Sequence, residues 1–166
     1  MRMIKTALCA TAAFSAAALM SGVTTAADAA STPSATQQSC SSPNQEVCWE
    51  FSKGKQYNCP EGRVCLFPGL NQRDGIVSWK AGHYESDFAR IPCTPDNSSC
   101  NGLPGQVPTF DNDASSWFNN TNMVYCVSRL PNGGGHPDNT MPPKMGGPFT
   151  SEWDNDASSL SYLGCP

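Results

Sequence analysis

Phe110-Asp-Asn-Asp-Ala-Ser-Ser-Trp117 returns 43 residues later (153 − 110) as Trp153-Asp-Asn-Asp-Ala-Ser-Ser-Leu160, an identical hexapeptide with an apolar residue on either side. An identity of that length reads as an internal repeat rather than coincidence. Two copies are too few for a solenoid or a propeller. The economical reading is two similar β units packed into one domain, each supplying about four strands.

The sequence around the repeat agrees. Short runs rich in β-branched and aromatic residues, such as Arg63-Val-Cys-Leu-Phe67, Gly75-Ile-Val-Ser-Trp79 and Asn122-Met-Val-Tyr-Cys-Val127, alternate with Gly, Pro, Asn and Asp. Each has strand length and turn-like borders. Beyond the N-terminal segment, no window keeps a 3.6-residue apolar period long enough for a helix, and prolines interrupt most candidates. The class is all-β.

Arg2 and Lys5 precede an Ala-rich apolar stretch without charge up to Asp28, so residues 1–29 read as a signal peptide, with Cys9 leaving alongside it. This predicts a secreted, extracellular protein with no membrane attachment after cleavage. Residues 30–58 open with Ser, Thr, Pro and Gln and read as a flexible leader carrying Cys40 and Cys48, because such a composition buries too little apolar surface to offset ordering. The domain proper then spans 59–166. A formal net charge of −4 and only 14% charged residues leave no basic field for nucleic acid or an anionic membrane surface.

Eight cysteines remain after processing: Cys40, Cys48, Cys59, Cys65, Cys93, Cys100, Cys126 and Cys165. An even count in an exported chain reads as about four disulfides. Spacing does not fix the connectivity, but Cys59 to Cys65 and Cys93 to Cys100 each enclose a turn and suit local closure. A zinc site would need close Cys/His pairs, which these spacings do not offer.

Asp-Asn-Asp-Ala-Ser-Ser brings carboxylate, amide and hydroxyl oxygens together, the hard donors that Ca²⁺ takes in six to eight contacts. The same residues also cap tight strand corners without any metal. Both readings stand on local chemistry alone.

Both hexapeptides fit the (Asn/Asp)-(Asn/Asp)-x-x-(Ser/Thr)-Ser motif of the βγ-crystallin superfamily, and Cys59-Pro-Glu-Gly-Arg-Val-Cys65-Leu-Phe followed by Gly75 resembles the first hairpin of its secreted bacterial members. Over about residues 59–166 the chain is similar to peptidase inhibitor family I36, typified by the Streptomyces metalloproteinase inhibitor. The resemblance implies two Greek-key motifs, about 59–121 and 122–166, forming two packed four-stranded antiparallel sheets. It implies Asp111, Asn112, Asp113, Ser115 and Asp154, Asn155, Asp156, Ser158 as ligands of two Ca²⁺ sites shared between the loops. It also implies an inhibitory loop at Cys126, Val127, Ser128 and Arg129, whose Cys-Val start resembles the family's reactive region. No second cysteine follows closely, so Cys126 has to reach a distant partner such as Cys165.

The expected function is a secreted, monomeric inhibitor of an extracellular peptidase, a metalloprotease in particular. The alternative is a secreted Ca²⁺-binding module with a structural, stress or antimicrobial role. An enzyme is not expected, since His83 and His136 lie in no catalytic motif and the carboxylate pairs Glu50/Glu61 and Glu85/Asp87 have nothing to place them in a cleft.

Overall fold

The computed structural model describes residues 40, 44–93, 100, 108–135, 139–163 and 165; the expected signal peptide lies outside them. Eight strands form two antiparallel sheets: β1 (Val47–Gln56), β2 (Arg63–Phe67), β3 (Arg73–Lys80), β4 (Ser116–Asn119), β5 (Tyr125–Ser128), β6 (Asn139–Met141), β7 (Met145–Pro148) and β8 (Ser159–Ser161). The first sheet runs β1-β3-β2-β4-β7 and the second β6-β5-β8. The class and the bracing expected from the sequence are both found.

The connections make two Greek keys that exchange a strand. β7 belongs to the second repeat yet pairs with β4 of the first, Ser116 opposite Pro148 through Asn119 opposite Met145. In return the first repeat sends Glu85 to β8, where Glu85 and Leu160 exchange both backbone hydrogen bonds at 3.1 and 2.8 Å. That return is a single bridge, so the second sheet has three named strands rather than the four expected.

The first sheet has five because the leader joins it. Val47–Phe51 lies antiparallel to β3, with Val47 opposite Trp79 and Phe51 opposite Gly75. The reading of 30–58 as a flexible leader is therefore corrected for its last third. Its Ser/Thr/Gln composition ends before Val47, and the alternation of Val47, Trp49 and Phe51 gives a strand one apolar face. Gly75 admits that face: a Cβ there would lie 2.5 Å from the Phe51 ring.

Period-two alternation divides the interior. Val64, Leu66, Val77, Trp79, Tyr125 and Val127 face the main core with Phe51, Phe88 and Phe110. Cys65, Phe67 and Ile76 face the other side of the first sheet, against Tyr57 and Phe118. Ring centroids 5.5–6.0 Å apart join Trp79, Phe88, Phe110 and Phe51 in one chain of contacts. Each such ring, once buried, contributes about 2–3 kcal/mol.

Disulfides join Cys40 to Cys48, Cys59 to Cys65, Cys93 to Cys100 and Cys126 to Cys165, with Cα separations of 5.0, 5.8, 6.0 and 5.6 Å. Both local closures suggested by the spacing are present. Beside the first bridge, Arg63 is buried and pairs with no carboxylate among the described residues, its guanidinium donating to Ser78 Oγ (2.8 Å), Ser78 O (2.9 Å) and Gln45 O (2.8 Å). Burial lowers its pKa, and the carbonyls that surround it fasten the start of β1 to the core.

Candidate functional site

The two repeated loops enter β4 and β8, and they cross. Asn112 donates its N–H to Ala157 O and Asn155 donates its N–H to Ala114 O, both at 3.0 Å. Each asparagine sits in the left-handed region, φ 55° and 58°, which Asn tolerates better than most residues. The side chains repeat the exchange: Ser158 Oγ meets Asn112 Oδ1 at 3.2 Å and Ser115 Oγ meets Asn155 Oδ1 at 3.4 Å. An approximate two-fold axis therefore relates loops that lie 43 residues apart.

The last serine of each hexapeptide staples the turn that follows the first strand of its own repeat. Ser116 Oγ donates to Gly69 O (2.7 Å) and accepts from Gln72 N–H (3.1 Å). Ser159 Oγ donates to Leu130 O (2.9 Å) and accepts from Gly133 N–H (3.2 Å). The corner-capping role expected of these residue types is thus present in both copies.

The eight expected metal ligands divide. Asn112, Ser115, Asn155 and Ser158 supply the two crossed oxygen pairs. Asp111 turns Oδ2 toward the Asn112 amide (3.3 Å), while its Oδ1 is buried and accepts no hydrogen bond among the described residues. Asp154 is exposed. Asp156 forms an ion pair with Arg129, Oδ2 to Nε 2.7 Å. Asp113 is buried against Cys93 and Cys100, ligand atoms within 4.8 Å of one another. That trio does not ligate a metal, because a metal takes a thiolate and these sulfurs are joined in a disulfide.

The expected inhibitory loop is corrected. Tyr125–Ser128 is the central strand of the second sheet, paired with β6 on one side and β8 on the other. Cys126, Val127 and Ser128 are buried, Val127 completely, so none can enter a peptidase pocket. Arg129 is tied to the second hexapeptide loop.

Exposure begins one residue later. Leu130 is 57% exposed and opens a closed turn, Leu130 N–H donating to Gly134 O (2.8 Å) and Gly134 N–H to Pro131 O (3.2 Å). Asn132 N–H fastens the turn to Ser86 O (2.7 Å), in addition to the two Ser159 bonds. A Cβ on Gly134 or Gly135 would lie 3.2–3.3 Å from Leu130, so the leucine rests on bare glycine backbone. Beside it a cleft of about 490 Å³ is lined by Tyr84, Glu85, Ser128, Asn132, Ser159 and Leu163, with Tyr84 and Leu163 exposed at its rim. The bonds that hold this turn come from Ser86 and Ser159, which are remote from it in sequence.

The carboxylate pairs have local work. Glu85 accepts from Asp87 N–H and Asp87 caps a short 3-10 turn at Ala89 N–H, while Glu50 meets Lys55 and Tyr57. His83 faces Glu46 at 3.8 Å.

The profile of peptidase inhibitor family I36 matches residues 52–140, more than half of the chain. No curated protein matches the sequence significantly. A solved structure described as "Evolution of the eye lens beta-gamma-crystallin domain fold" superposes with a TM-score of 0.47 at 16% identity, over 71% of this chain and 99% of that one.

Proposed function

This chain belongs to peptidase inhibitor family I36, and from that premise we propose that it is a secreted, monomeric inhibitor of an extracellular zinc metalloprotease. In this reading it acts on the peptidase and not on nucleic acid or membrane, and it is not itself an enzyme. The observation that carries the contact site is the turn Leu130–Gly135, which presents an exposed leucine on backbone already tied to Ser86 and Ser159. A segment ordered before binding loses little entropy on binding, so its contacts go into affinity. The apolar Leu130 suits the hydrophobic pocket of a thermolysin-like enzyme.

The test is titration of a thermolysin-like peptidase with the oxidised protein, alongside serine and cysteine peptidases. Stoichiometric inhibition of the metalloprotease is expected, with Leu130→Ala weaker by about 10- to 100-fold, as for the loss of a central apolar anchor. Full potency in that variant would move the contact elsewhere. Absence of inhibition across the panel would remove the reading.

A second reading, a Ca²⁺-binding module, is favoured by the crossed oxygen pairs and the buried Asp111 Oδ1. The donor set suits a hard cation. Ser115 with Asn155 and Ser158 with Asn112 would each help to hold one of two ions, with Asp111 and loop carbonyls completing the sets, and the ions' charge would tie the two loops together. Calorimetry should then register Ca²⁺ binding that Asp111→Ala weakens; equal heats in the two proteins would count against it.

A further inference from the structure

Within the approximate symmetry of the two loops, Arg129 has no charged counterpart. Phe67 O accepts Ser115 N–H and Ser128 O accepts Ser158 N–H, both at 2.8 Å, so the residues that follow, Pro68 and Arg129, hold corresponding places. Pro68 brings no charge. Arg129 crosses to the second loop, where Nε lies 2.7 Å from Asp156 Oδ2 and one Nη donates to Glu152 Oε1 and to Glu152 O, both at 3.1 Å. Its guanidinium carbon lies 4.7 Å from the centre of the Trp153 ring.

The second loop carries the denser negative charge. Glu152, Asp154 and Asp156 fall within five residues, against Asp111 and Asp113 in the first loop. Like charges so close raise the free energy of the ordered loop, and a planar guanidinium stacked on an indole answers two of them at once. The stem of Arg129 is also where the contact turn starts, since a Cβ on Gly135 would lie 3.1 Å from the Arg129 Cβ.

We propose that Arg129 is a built-in cation, which takes at the second loop the neutralising role a divalent ion would fill and so keeps that loop and the adjoining turn ordered without metal. The proposal rests on the reading of the loops as cation cradles and is independent of peptidase inhibition.

Thermal melting of the oxidised protein tests it, in chelator and in millimolar CaCl₂, for wild type and Arg129→Gln. In chelator the variant should melt about 4 °C below wild type, the shift expected from roughly one kcal/mol in a domain of this size. Calcium should recover most of that loss, raising the variant's melting temperature by at least twice the wild-type increment. Equal, non-zero increments overturn this proposal alone; no increment in either protein overturns it together with the cradle reading. Two further variants guard against a misfolded Arg129→Gln. Arg129→Lys keeps the charge and should respond to calcium as wild type does. Asp156→Asn removes a carboxylate that Arg129 answers and should gain no added response. A calcium increment enlarged in either one overturns the proposal.

Discussion

Tyr125 carries a hydroxyl whose burial bears on the solution behaviour of the molecule. It is fully buried, and its oxygen accepts the Gly82 N–H at 2.9 Å, tying the turn after β3 to the second sheet. Burial raises its pKa above the ordinary tyrosine value, outweighing the opposing effect of that hydrogen bond. Tyr57 is raised too, by burial first and then by the Glu50 carboxylate beside it. A folded-state pKa above the unfolded one means that unfolding favours proton release, so the stability concerned is whole below about pH 10 and is lost as pH rises through the folded values. Urea midpoints of the oxidised protein should therefore stay level from neutral pH to about 9 and fall beyond 10. Tyr125→Phe should be less stable at neutral pH by about 1–2 kcal/mol, from the unpaired Gly82 amide, yet lose less on going alkaline. An alkaline slope unchanged in the variant would show that Tyr125 is not the group titrating.

At the scale of elements, legibility followed the range of the interactions. β2 could be read outright, since all five residues of Arg63–Phe67 are buried and a strand covered on both faces appears as an unbroken run. The same rule concealed the nature of β5. Tyr125-Cys-Val is equally unbroken because a core lies on one side and the Cys126–Cys165 bridge on the other, so a family likeness at Cys-Val could not signal exposure. β1 escaped the composition argument because only Val47–Phe51 alternates, and what holds it is remote: Gly75 in β3 and the Arg63 guanidinium. The repeated hexapeptides were legible as loops and as corner caps. Their crossing, the Arg129 ion pair and the stapled Leu130 turn depend on partners 20 to 50 positions away, and local sequence does not encode such distances.

For the molecule as a whole, the exchange of strands decides how it comes apart. β7 lies in the first sheet, while β6 before it and β8 after it lie in the second. Neither sheet can unravel alone without pulling its neighbour's strands through the shared core of Trp79, Phe88, Phe110, Tyr125 and Leu160. The crossed loops add backbone hydrogen bonds between the repeats, and the Cys126–Cys165 bridge spans 39 positions, closing the whole second repeat. A loop of that length restricts the unfolded chain by about 4 kcal/mol, more than the roughly 2–3 kcal/mol of the short bridges. The repeat in the sequence thus does not mark two independently stable halves. With the disulfides intact, unfolding followed by far-UV circular dichroism for the sheets and by tryptophan fluorescence for the core should give superimposable curves and one transition. Of the four tryptophans, Trp49, Trp79, Trp117 and Trp153, only Trp153 lies in the second repeated loop, so a Trp153→Phe variant removes that loop's contribution and leaves the signal of the other three. Two resolved midpoints, or a fluorescence change preceding the loss of sheet, would mean that the exchanged strand does not couple the repeats.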